Sequence, residues 1–244
     1  MEKLKESSFI SLIAVFAAFN IVCDSLMGTP LPFSGVWDSW IFIAEPINGI
    51  ILGPYASSFS SFIGVMVGHS IIPRDSSEFL FTLGTPIGAI ISGLIFRGKW
   101  KIALIYYLAL LGAYFLTPVS WQLPLWGMWD VYLAFGCLLS LIAVMRKRKG
   151  FWDTKSIGVR LIQIVALCTF IGLEADVLFR VFILIPCQTY RSIYVLDVEK
   201  LQLWWAAGAV ETSTKAALST LINIMVTPSI IKAVRKMHLR LDED

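Results

Sequence analysis

Two ion pairs are written into this sequence at helical spacing. Glu211 and Lys215 stand four residues apart with the acid first, the order that favours pairing on a helix, and Asp176 and Arg180 repeat it. Glu174 has no obvious partner and supplies an odd charge. Asp24, Glu45, Asn48 and His69 complete the polar set. All of them interrupt apolar runs, where an ionisable side chain is costly and is by default a functional candidate. The plainer reading is that each pair only neutralises itself. Buried pairs are weak stabilisers, however, so two in one layer point to a use. Opened, they would grip a small zwitterionic or carboxylated ligand with a ring or apolar part. Single and unclustered, His69 reads as a satisfied polar cap rather than a ligand.

The elements that carry these residues are long and apolar. Of 244 residues, 57% are hydrophobic and 15% charged, against about 25% charged in soluble domains. Mean hydropathy is +0.75. Runs such as 102–116 and 161–173 are too long and too free of turn residues for buried strands. The pattern predicts an all-α, polytopic transmembrane helix bundle forming one integral membrane domain over 1–244. Helices are expected at 8–28, 39–53, 56–72, 79–96, 101–118, 128–146, 158–183 and 205–231. That gives about eight spans, or six if the short pair at 39–53 and 56–72 fails to cross. The N-terminal apolar run lacks a clean cleavage site and reads as a retained first span.

Basic residues set an orientation, because they accumulate on the cytoplasmic side. Lys3 and Lys5, then Arg97, Lys99 and Lys101, then Arg146 to Lys149, then Lys232, Arg235, Lys236 and Arg240 fall on one face when the span count is even. Both termini are then expected in the cytoplasm of a multi-pass cell-membrane protein. Asp24, Glu45, Asn48, His69, Glu174, Asp176, Arg180, Glu211 and Lys215 all fall in the outer halves of their spans. The inner halves are apolar or small, which suits a pocket loaded from outside.

Aromatic and small residues mark surfaces. Trp37 and Trp40, Trp121, Trp126 and Trp129, and Trp204 and Trp205 border spans. They read as an interfacial belt, or as rings that close over a ligand. Ser7, Ser11, Ala14 and Ala18 make a narrow stripe on the first helix, suited to close helix approach. The stripe serves either internal packing or a second membrane protein. Gly84, Gly88 and Ser92 form one row and Thr85, Ala89 and Gly93 another, so this helix is expected at the centre.

The chain has no engine of its own. Nothing matches the phosphate-cradling GxxxxGK[ST] loop, HExxH or GxSxG. The four cysteines are scattered, without a metal-ligand spacing, and read as packing residues. The expectation is a non-enzymatic protein without cofactor or metal, and no feature suggests nucleic acid.

Three segments carry a resemblance. They are Ala14-Val15-Phe16-Ala17-Ala18, the junction 50–56 running into Phe62-Ile63-Gly64, and a last helix with Asn223, Pro228 and a basic tail from Lys232. Together they resemble the substrate-binding S components of energy-coupling-factor (ECF) vitamin transporters, over about the first 100 residues and the last 30. The resemblance implies high-affinity binding and uptake of a small vitamin-like solute. It also implies docking to a transmembrane coupling subunit with ATPase subunits, through Ala14 and Ala18, and a lid at 29–39. The candidate solute-binding residues are Trp37, Trp40, Glu45, Asn48, Glu174, Arg180, Glu211 and Lys215. An ion-coupled secondary transporter, an intramembrane enzyme using Glu174 or Glu211, and a structural membrane protein remain the alternatives.

Overall fold

The computed structural model describes residues 6–26, 39–72, 78–147, 152 and 158–241. Every extended element among them is helical: α1 (Glu6–Ser25), α2 (Ile41–Leu52), α3 (Pro54–Ile71), α4 (Glu78–Thr82), α5 (Gly84–Phe96), α6 (Trp100–Leu116), α7 (Trp129–Lys147), α8 (Val159–Leu184), α9 (Thr189–Ser192) and α10 (Val198–Leu241). Two 3₁₀ turns, Pro118–Gln122 and Leu125–Met128, lead into α7. Helices satisfy their own backbone groups, which hydrocarbon cannot do for them. Four stretches are long and apolar enough to cross a membrane: Glu78–Phe96, Leu125–Lys147, Val159–Leu184 and Val198–Lys236. The 12 residues of α2 reach only about 18 Å at 1.5 Å per residue.

Helices occupy all eight expected places; the short α9 is an addition, and two of the expected helices change. The expected helix 79–96 is broken at Leu83 into α4 and α5. Pro86 has no N–H to give the carbonyl of Thr82, so the ladder is interrupted there. The expected helix 205–231 extends at both ends to become the 44-residue α10. Its flanks are polar, which hides them from a hydropathy pattern, but they contain no helix breaker. Asp197 starts it by accepting a hydrogen bond from the Lys200 amide at 2.8 Å. That amide holds the Asp197 carboxyl below the usual carboxylate range.

The centre of the bundle is α5, packed against α2, α3 and α8. Its glycine rows make this possible. A Cβ at Gly93 would press on the Gly49 carbonyl of α2, and one at Gly49 on the Ala89 carbonyl of α5. On the other side Gly172 of α8 lies against Ser92, whose hydroxyl donates to the Cys168 carbonyl at 3.1 Å. Close backbone approach of this kind drives helix association in lipid, where apolar burial gives little advantage. The remaining core is aliphatic and aromatic, with Tyr107 and Tyr114 wholly buried among Leu138, Ile164 and Leu178.

Proline placement also ties α10 to α2. Pro46 inside α2 cannot donate to the Phe42 carbonyl. Ser219 of α10 takes over, its hydroxyl donating to that carbonyl at 2.8 Å, and the Asn223 amide donates to Ile43 at 3.2 Å. Polar groups in α10 thereby satisfy backbone that the proline leaves open.

The bundle has two different ends. At one, Arg97 donates to the carbonyls of Gly49 and Gly93, each at 3.2 Å. Arg146 lies over the Trp100 ring, 5.4 Å from its centroid. Lys99, Lys101 and Lys147 belong to the same end. At the other, the C-terminal turns of α1, α3 and α8 meet the N-terminal turns of α2, α5 and α10 around a cavity.

Candidate functional site

The cavity measures about 280 Å³, near the small end of the roughly 300–1,000 Å³ range of small-molecule pockets. Its charged lining comes from five helices. On α8, Arg180 grips Asp176 with both ends of its guanidinium, Nε to Oδ1 at 2.7 Å and Nη2 to Oδ2 at 2.8 Å. Across from it on α10, Lys215 donates to Glu211. Both pairs anticipated from spacing therefore form, and both line one cavity.

A third pair closes another side. The His69 ring sits between Asp24 and Thr82, with Nδ1 2.8 Å from Asp24 Oδ2 and Nε2 2.9 Å from the Thr82 hydroxyl. Asp24 also accepts from Ser39 at 3.0 Å. This chain links α1, α3 and α4, and it makes His69 the satisfied polar group that its isolation in the sequence suggested. Aromatic walls come from Phe42, Phe81, Tyr194 and Trp204. Tyr194 packs against both Phe81 and Trp204 at centroid distances of 6.0 and 5.5 Å.

Glu174 is the exception in this arrangement. Its side chain lines the cavity and is 0% exposed, and neither carboxyl oxygen has a hydrogen-bond partner among the described residues.

The remaining expected site residues lie elsewhere. Glu45 is fully buried outside the cavity lining, and like Glu174 it has no hydrogen-bond partner on either carboxyl oxygen among the described residues. Two glycines one turn apart on α5 make room for two acids, Gly88 beside Glu45 and Gly84 beside Asp176. Asn48 is also buried and donates to the Ser61 hydroxyl at 2.8 Å, joining α2 to α3. Trp40 stacks on Phe42 at 5.9 Å and is 40% exposed, outside the cavity lining. Trp37 and positions 29–38 of the expected lid lie outside the described residues. Ala14 and Ala18 are exposed on α1, as are Ser7 and Ser11, so the described residues leave this stripe uncovered.

The sequence reading overlooked Asp130. This buried acid at the start of α7 accepts from the Thr212 hydroxyl of α10. Its position at the head of an apolar run was the available signal. No three His, Cys, Asp or Glu side chains among the described residues are placed to share a metal ion. Compared with known protein families, curated proteins and solved structures, the chain matches none.

Proposed function

We propose that this chain is a membrane solute-binding subunit. It captures a small vitamin-like molecule outside the cell and delivers it through an ATP-driven transporter whose energy comes from partner subunits. The observation that carries this reading is the cavity: two ion pairs, an Asp–His–Thr chain and four aromatic rings surround one small volume at one end of the bundle. A purely architectural set of ion pairs would have no reason to enclose space.

The charge distribution supports the same reading. The cavity end is opposite the end that carries Arg97, Lys99, Lys101, Arg146 and Lys147. Basic residues favour the cytoplasm, which gives the cavity the outer side, with eight spans and both termini inside. The exposed Ser7, Ser11, Ala14 and Ala18 stripe runs from the N-terminal end of α1 to just past its middle, where a coupling subunit has access through the lipid. This agrees with the resemblance to S components of ECF transporters.

Native mass spectrometry of the chain, released gently from its own membranes, tests the proposal. A retained small molecule together with a coupling subunit and ATPases is the expected result. A chain that carries no solute and no partner subunits would overturn it.

A further inference from the structure

We infer that the solute carries a positively charged nitrogen, and that Glu174 is the group that holds it. This rests on the solute-binding reading above and adds the chemical class of the ligand. Burying an ionised carboxylate without a partner is among the most expensive arrangements a fold can contain, and in a bilayer it marks function. Glu174 is fully buried, lines the cavity, and has no hydrogen bond to either oxygen among the described residues. Asp176 has Arg180 and Asp24 has His69; Glu45 is likewise buried with neither oxygen hydrogen-bonded among the described residues, but it lies outside the cavity lining, so Glu174 is the one of the two that a solute can reach.

The surroundings favour a cation over any other ligand. The described lining includes five carboxyl groups, on Asp24, Glu78, Glu174, Asp176 and Glu211. Against them stand two permanent cations, Arg180 and Lys215, and the His69 imidazole. Each of those three bases is already engaged with an acid of its own. An anionic ligand would therefore find no unengaged base in the described lining. A cation instead completes the unpaired carboxylate. The ring faces of Phe42, Phe81, Tyr194 and Trp204 carry negative quadrupoles and attract cations as well. The small volume limits the ligand to roughly a single ring with a short amine-bearing arm.

Three isosteric probes separate the possibilities: 2-phenylethylammonium, 2-phenylethanol and phenylacetate, titrated against the purified chain by the fluorescence of its tryptophans. The ammonium is expected to bind at least about tenfold tighter than the alcohol, and phenylacetate weakest. In Glu174→Gln, which keeps the side-chain shape, that preference should vanish while the melting temperature holds or rises. Equal binding of ammonium and alcohol, a preference for phenylacetate, failure of all three to bind, or a preference that survives in Glu174→Gln would each overturn the inference. Native mass spectrometry keeps this failure apart from that of the parent reading. A retained neutral or anionic compound removes the cation and leaves a solute-binding protein, whereas a chain with neither probe binding nor retained compound loses both.

Discussion

The Glu45 carboxyl of α2 lies against the bare backbone of Gly88 on α5, in the space that a methyl group at that position would occupy. One turn earlier on α5, Asp176 of α8 fills the equivalent space over Gly84. The two glycines are thus a notch that lets two acids from different helices converge, Asp176 in the cavity wall and Glu45 outside it. Gly88→Ala should destabilise the fold by about 1–3 kcal/mol through overpacking, with weaker solute binding because Asp176 and Arg180 must move with Glu45. Gly136→Ala is the control, since nothing lies within 4 Å of an added Cβ there. Thermal unfolding of both variants in detergent reads the difference. Equal melting temperatures would show that the notch is not close-packed.

Arg97 offers a second test, at the opposite end of the bundle. Its guanidinium bridges the carbonyls of Gly49 and Gly93 and covers Gly53, the positive-φ residue between α2 and α3. A lysine keeps the charge and loses the planar fork. Arg97→Lys should lower stability by about 1–3 kcal/mol, the cost of buried acceptors left short of a donor. Proteolysis at the 52–54 turn should become faster. A variant as protease-resistant as the parent would remove Arg97 as the clasp of this hairpin.

Much of this architecture was legible in the sequence, for identifiable reasons. The helical class and the approximate places of the long helices follow from apolar length, whereas the break at Leu83 and the short α9 do not. The central position of α5 follows from two small-residue rows, because only a helix crowded on two sides needs both. The ion pairs follow from i, i+4 spacing within one helix. Contacts between helices were not legible. Nothing in the local sequence says that Asp24 meets His69, 45 positions away, or that Asn48 turns toward Ser61 rather than the cavity. The ends of α10 were missed because hydropathy reports lipid burial, whereas its flanks continue as polar helix.

The outer face of α1 tests the partner. Phe16, Ala17, Asn20, Cys23 and Asp24 turn inward and leave Ala14 and Ala18 exposed. Ala14→Trp therefore adds a bulky ring outside the bundle and should leave stability and solute binding unchanged. It should abolish copurification of a coupling subunit, because small-residue stripes work by close backbone approach. Copurification at the parent level would place the docking face elsewhere.

Lys215 decides whether the paired charges serve the solute or only each other. The pair with Glu211 is partly exposed to the cavity, at 28% and 20%. Such a pair contributes only about 0.2–1 kcal/mol to stability, so Lys215→Ala should insert and fold normally. Its effect on solute binding should be far larger. Removing the ammonium leaves Glu211 unneutralised at the cavity wall, redirecting a cationic ligand away from Glu174 and disturbing the geometry set by α8. A drop of about tenfold or more in the fraction of chains that retain solute is the expected outcome. Glu211→Gln/Lys215→Ala should recover part of that loss, since the stray carboxylate is then gone. Retention at the parent level in the single variant would reduce the pair to architecture and leave Glu174 as the sole charged anchor.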